Sequence, residues 1–175
     1  MKLLILIVVG VIAGIIVLAG IVALIGSRLP KSHVASRSIL LRRTPHDVYV
    51  LARDFSSAPK WRSDVKNMQV ESPHGGPVYF REEGKHGTVN YELTEDVPDQ
   101  RMVTKIRDTD LGYAGQWTYM FVPESGGTRV TIREDGEVSN VIFRFMSRYV
   151  FGQTATMDGY LTSLARHFGE DAAPQ

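Results

Sequence analysis

The sequence contains no cysteine, so neither a disulfide nor lipid attachment through a cysteine is open to it. It has no excess of charge of one sign: 20 Lys and Arg against 19 Asp and Glu leave +1. Most of the cations are interleaved with acids, so no basic stripe advertises nucleic-acid binding. Five histidines, at His33, His46, His74, His86 and His167, show no HxH, HxxxH or HExxH spacing. A metal site is therefore not expected, and these histidines read as loop or surface groups. A nucleophile elbow is missing. Gly75-Gly76 and Gly126-Gly127 lack the Lys-Ser/Thr and the helix that a phosphate loop requires. Adjacent acids at Glu82-Glu83 and Glu95-Asp96 would point to opposite faces of a strand, which removes them as a shared-proton pair. No internal repeat or low-complexity segment occurs, and no cofactor is implied.

What is present begins with Leu3 to Ile25, "LLILIVVGVIAGIIVLAGIVALI", uncharged and without proline. As a helix this run reaches roughly 34 Å, enough to cross a hydrocarbon core of about 30 Å. It is longer than the apolar region of a signal peptide, and "SRLPKS" at Ser27 to Ser32 offers no small-x-small cleavage site. The reading is an uncleaved single-pass anchor over residues 1–26, a linker over 27–32, one domain over 33–170 and a disordered tail over 171–175. Arg28, Lys31, Arg37, Arg42 and Arg43 follow the span, against Lys2 before it. That asymmetry predicts a domain on the cytoplasmic side. Gly10 and Gly14 form a GxxxG, a spacing that a Gly- and Ala-rich run also produces by chance.

After the linker, His33 to Arg43 reads as a strand. Thr44-Pro45 then supplies an N-cap and a first-turn proline for a short helix carrying Val48, Leu51, Ala52 and Phe55. A second helical turn is expected around Trp61, and Val65 onward is extended. From there the period is two, best seen in "TVNYELT" at Thr88 to Thr94, where Val89, Tyr91 and Leu93 share a face. Similar runs at Arg101 to Ile106, Gln116 to Val122 and Thr128 to Arg133 have connections too short for parallel crossovers, so they predict an antiparallel meander. Such a sheet needs a cover. A long final helix from about Val141 to Phe168 is expected to provide it. Its stripe would be Ile142, Phe145, Met146, Tyr149, Gln153, Met157, Tyr160, Leu161, Leu164 and Phe168, with Arg144, Arg148, Asp158 and Arg166 on the remaining surface.

This order, with "APKWRSDV" at Ala58 to Val65, "YELTEDVPDQRMVTKI" at Tyr91 to Ile106, "WTYMFVPESGGTRVTI" at Trp117 to Ile132 and "FGQTATMDGYLTSLARHF" at Phe151 to Phe168, resembles the START-like, or SRPBCC, superfamily. It is most similar to the polyketide cyclase/dehydrase and lipid transport branch, over about Ser32 to Glu170. The resemblance implies an α+β helix-grip fold: a curved antiparallel sheet of about seven strands wrapping the last helix, with two short helices after the first strand and a hydrophobic cavity between sheet and helix. Its lining is expected from Tyr91, Leu93, Trp117, Tyr119, Phe121, Phe145, Tyr149 and Met157. Three functions are then open. The first is a membrane-tethered protein binding a lipid, quinone or polyketide-like molecule. The second is an enzyme of the cyclase type using Tyr91 or Tyr119, or an inward Arg81 or Glu92. The third is an adaptor with a filled core.

Overall fold

The structure is a computed structural model that describes residues 2–72, 76–85, 87–108 and 111–175. In chain order the elements are α1 (Lys2–Arg28), β1 (Ser32–Leu41), α2 (Pro45–Arg53), a 3₁₀ turn (Phe55–Ser57), α3 (Ala58–Trp61), β2 (Val65–Glu71) and β3 (Val78–Gly84). There follow β4 (Gly87–Val97), β5 (Arg101–Ile106), β6 (Tyr113–Glu124), β7 (Gly127–Val138), α4 (Val141–Met146), a π-helical turn (Ser147–Phe151) and α5 (Ala155–His167). His74 and His86, read above as loop or surface groups, and Gly75 of the Gly75-Gly76 pair lie outside the described residues.

The seven strands form one sheet in the order β1-β7-β6-β5-β4-β3-β2, antiparallel throughout. β2 to β7 are a meander, as their short connections dictate, and β1 closes the far edge on β7. The helix-grip fold is therefore present. α2 starts where the sequence placed it: the Thr44 hydroxyl accepts from the Asp47 N–H at 3.2 Å, and the Asp47 carboxylate accepts from the Thr44 N–H at 3.3 Å. This reciprocal cap satisfies two donors that the first turn would otherwise leave unpaired. A bulge in β4 between Leu93 and Glu95 turns Asp96 toward α2, where its carboxylate accepts from Tyr49 Oη at 2.6 Å and Arg53 Nε at 2.7 Å. One extra residue in a strand thus pins a helix to the sheet.

Alternation assigns one sheet face to α5. Ile39, Met102, Tyr119, Phe121, Val130 and Ile132 form a single cluster with Met157, Tyr160, Leu161 and Leu164 of that helix, and Met157, Leu161 and Leu164 have no exposed surface. The space directly beneath α5 is filled.

Two expectations change here. The final helix is not one rod: α4, a π-helical turn and α5 replace it, separated at Gly152, which adopts φ 77° and ψ 148°. That region is open to glycine and costly for other residues. An apolar stripe at three- and four-residue steps survives such a break, so the periodicity could not reveal it. The residues 171–175, expected as a disordered tail, instead run back to β1. Gln175 and Ser38 exchange two backbone hydrogen bonds of 2.8 and 3.0 Å, and Ala172 packs on the core.

Candidate functional site

α5 is only 13 residues long and covers part of the concave face; the rest of that face is where chemistry-bearing side chains collect. Register places them. Phe80 and Tyr91 are opposed, as are Glu82 and Val89, Tyr91 and Ile106, and Trp117 and Glu134. Opposed residues of antiparallel strands share a face, so Val89, Tyr91, Ile106, Tyr113, Trp117, Glu82 and Glu134 all line the concave side. All seven are half-buried rather than sealed. At one end this strip is bounded by Tyr160 of α5, whose ring lies 6.1 Å from Trp117 and 5.6 Å from Tyr119. At the other end Phe143 of α4 stacks on Tyr113 at 5.7 Å.

The strip carries polar groups of two kinds. Arg62, at the end of α3, is buried and donates to Glu82 at 2.8 and 3.2 Å and to Asp64 at 2.7 Å, while its guanidinium sits 5.2 Å from the centre of the Tyr160 ring. Burial alone would weaken this cation, but the two carboxylates outweigh it and hold its pKa above the usual value. Burial pushes the Tyr91 hydroxyl up, with the Glu82 charge adding to it, and pushes Tyr119 and Tyr160 up as well. At neutral pH these phenols are therefore protonated donors and not bases.

The second group lies on β1. His33 and Ala35 are opposed to Gly136 and Glu134 of β7, which puts His33 on the concave face with its Nε2 3.3 Å from Glu134 Oε1. Gly136 makes room: a Cβ there would run into the imidazole. Sequence reasoning missed this pair by reading His33 as a surface group. The signal was the alternation of "HVASRSILL", which puts His33, Ala35, Arg37, Ile39 and Leu41 on one face.

Of the eight residues expected to line a cavity, the structure brings six together. Leu93, Tyr119, Phe121 and Met157 are buried in the core, and Tyr91 and Trp117 are packed half-buried against it. Phe145 and Tyr149 do not join them. Their rings pair with each other at 5.1 Å, and Tyr149 is 59% exposed, because the break at Gly152 turns α4 and the π-helical turn away from the α5 stripe. Arg81 and Glu92 are opposed to Gln69 and Tyr79, on the convex face, so neither points inward. Arg144, expected at the surface, is only 8% exposed. An open groove of about 510 Å³ exists elsewhere, between α2 and the end of α5, lined by Arg43, His46, Asp47, Leu51, His167 and Phe168 among others. It is wide open to solvent, and Val50, Leu51 and Phe168 share its lining with the charged groups. Among the described residues no group of three or more His, Asp or Glu is placed to hold a metal.

Comparison with known proteins gives the same architecture. Residues 32–169 match the sequence profile of a family described as polyketide cyclase / dehydrase and lipid transport. A START superfamily protein from Mycobacterium smegmatis superposes with a TM-score of 0.62 at 15% identity, over 77% of this chain and 96% of that one. Norcoclaurine synthase from Thalictrum flavum gives 0.64 at 8% identity, over 79% and 87%. The di-domain aromatase/cyclase StfQ of the steffimycin biosynthetic pathway gives 0.61 at 16% identity over 76% of this chain, which spans about half (50%) of that protein. These likenesses establish the fold. No curated protein sequence matches.

Proposed function

The chain belongs to the polyketide cyclase / dehydrase and lipid transport family, and we propose from that premise that it is a membrane-tethered binding protein for an apolar small molecule of lipid, quinone or polyketide type. The observation that carries this reading is the uncovered strip of the concave face. Tyr91, Tyr113 and Trp117 present half-buried aromatic surface there, beside the polar ends of Glu82 and the His33–Glu134 pair. A mainly apolar surface with a few convergent polar groups is the usual form of a small-molecule site. α1 supports the tether: it is long and apolar enough to span a membrane, and none of its apolar window is buried. Apolar ligands partition into bilayers, and a domain held beside one meets them at raised local concentration.

Native mass spectrometry of the full chain, released from a mild detergent, tests the proposal. An apolar molecule should co-purify, and Trp117→Ala should weaken its rebinding about tenfold, the equivalent of about 1.4 kcal/mol. A chain that emerges empty and shows no saturable binding to a panel of phospholipids, quinones and aromatic polyketides would overturn it.

A second reading, catalysis of the cyclase or dehydrase class, is favoured by one observation. His33 and Glu134 form a base and its orienting carboxylate beside Trp117, while Tyr91 is held in its protonated form. In that reading His33 takes a proton from the carbon next to a carbonyl and Tyr91 donates to the oxygen. Positioned proton transfer contributes about 10²–10⁴ in rate, so His33→Gln should lower turnover of a polyketone substrate by that order. Turnover unchanged in His33→Gln and Tyr91→Phe would remove this mechanism.

A further inference from the structure

α4 is a short helix with a specific place. Asn140 caps it, its side-chain oxygen accepting from the N–H groups of Ile142 and Phe143, both at 3.0 Å. From α4, Arg144 donates to the Leu29 carbonyl at 2.9 Å and to the Ser139 carbonyl at 3.1 Å. The buried guanidinium therefore staples the end of β7 to the segment leaving α1. Gly26 lies so close to the Val141 carbonyl that any Cβ would collide with it, and Phe145 packs on the same spot. Residues 2–21 of α1 are exposed, whereas Val22, Ala23 and Gly26, one turn apart on one face, are covered or half-covered. The covered face thus reaches back into the apolar run, about 6 Å below Gly26 at 1.5 Å per residue.

On its free side the same segment is apolar. Ile142, Phe143, Tyr149 and Val150 are 50, 39, 59 and 58% exposed. No acidic residue occurs from Ser139 to Met157, nor anywhere before Asp47, while Arg28, Lys31 and Arg148 are exposed nearby in the chain. Large apolar side chains next to cations, without carboxylates, are the composition of a segment that lies in a bilayer surface. An exposed apolar patch rests on some partner, and here the partner is fixed by continuity with the span.

Resting on the tethered reading above, we infer that α4 and the π-helical turn form a second membrane contact: Val141–Phe151 lies in the headgroup and upper acyl region, with Tyr149 and Val150 inserted and Arg148 at the phosphates. The anchor then does more than confine the domain. It fixes orientation, setting the α4 end of the concave strip, where Phe143 stacks on Tyr113, against the lipid.

Because the chain has no cysteine, single-cysteine variants of the full chain can each carry one environment-sensitive fluorophore. Val150→Cys, Tyr149→Cys, Leu18→Cys in the span and Val122→Cys on β6 would be reconstituted into phosphatidylcholine and phosphatidylglycerol vesicles bearing a lipid-linked quencher. The expected result is a blue shift, a several-fold rise in emission and strong lipid-borne quenching at 150, 149 and 18, with none at 122. Quenching at 18 but aqueous behaviour at both 149 and 150 would overturn this inference and leave the tether standing. Aqueous behaviour at 18 as well would overturn both.

Discussion

Replacing Arg62 with methionine is expected to cost about 3–5 kcal/mol of stability, because it leaves carboxylates uncompensated where they are hidden from water. Both the Arg62 and Glu82 side chains are largely buried, 9 and 18% exposed, and three charge-assisted hydrogen bonds of 2.7 to 3.2 Å join Arg62 to Glu82 and Asp64. Their removal strips Glu82 of its cation and Tyr160 of the charge above its ring. The loss should be read as a lowered urea midpoint of the full chain in detergent, followed by near-UV circular dichroism. A change below about 1 kcal/mol, the size expected of an exposed ion pair, would show that this network is not buried in solution. Its acid dependence follows from Asp64. Burial opposes its ionisation, but Arg62 prevails and holds the carboxyl below its ordinary 3.8. A depressed carboxyl contributes stability that is fully present above about pH 4 and is lost as the pH falls toward the folded-state value. In the methionine variant that acid-side loss should be smaller than in the parent chain.

Leu161→Ala is expected to lower stability by about 2–5 kcal/mol, the range for a buried leucine whose surroundings cannot collapse into the void. Leu161 is fully buried in the cluster that joins α5 to the sheet. Val122→Ala, on a side chain 48% exposed, should stay within about 0.5 kcal/mol. If the two variants unfold at the same urea concentration, α5 does not grip the sheet as described.

The architecture was legible because it depends on local signals. The Thr44 cap, the period of two and the short connections each act within a few residues, and together they leave one antiparallel order. Six of the eight aromatic and apolar positions read from strand parity and from the α5 stripe fall together for the same reason. The misplacements are non-local. Whether Phe145 and Tyr149 share a face with Met157 depends on Gly152 at φ 77°, and the sequence shows only a glycine, which a continuous helix also tolerates at a cost of about 1 kcal/mol. Arg144 has the composition of a surface residue. Its burial becomes intelligible only once the Leu29 and Ser139 carbonyls are brought to it from two other segments. His33 lies 101 positions from Glu134, and no spacing rule spans that distance.

The pairing of Gln175 with Ser38 bears on how this molecule meets its neighbours. A peripheral strand offers hydrogen-bonding groups to any passing polypeptide, and β1 would be such an open seam. Here Gln175 of the same chain occupies part of that seam, which blunts fusion of one sheet onto another.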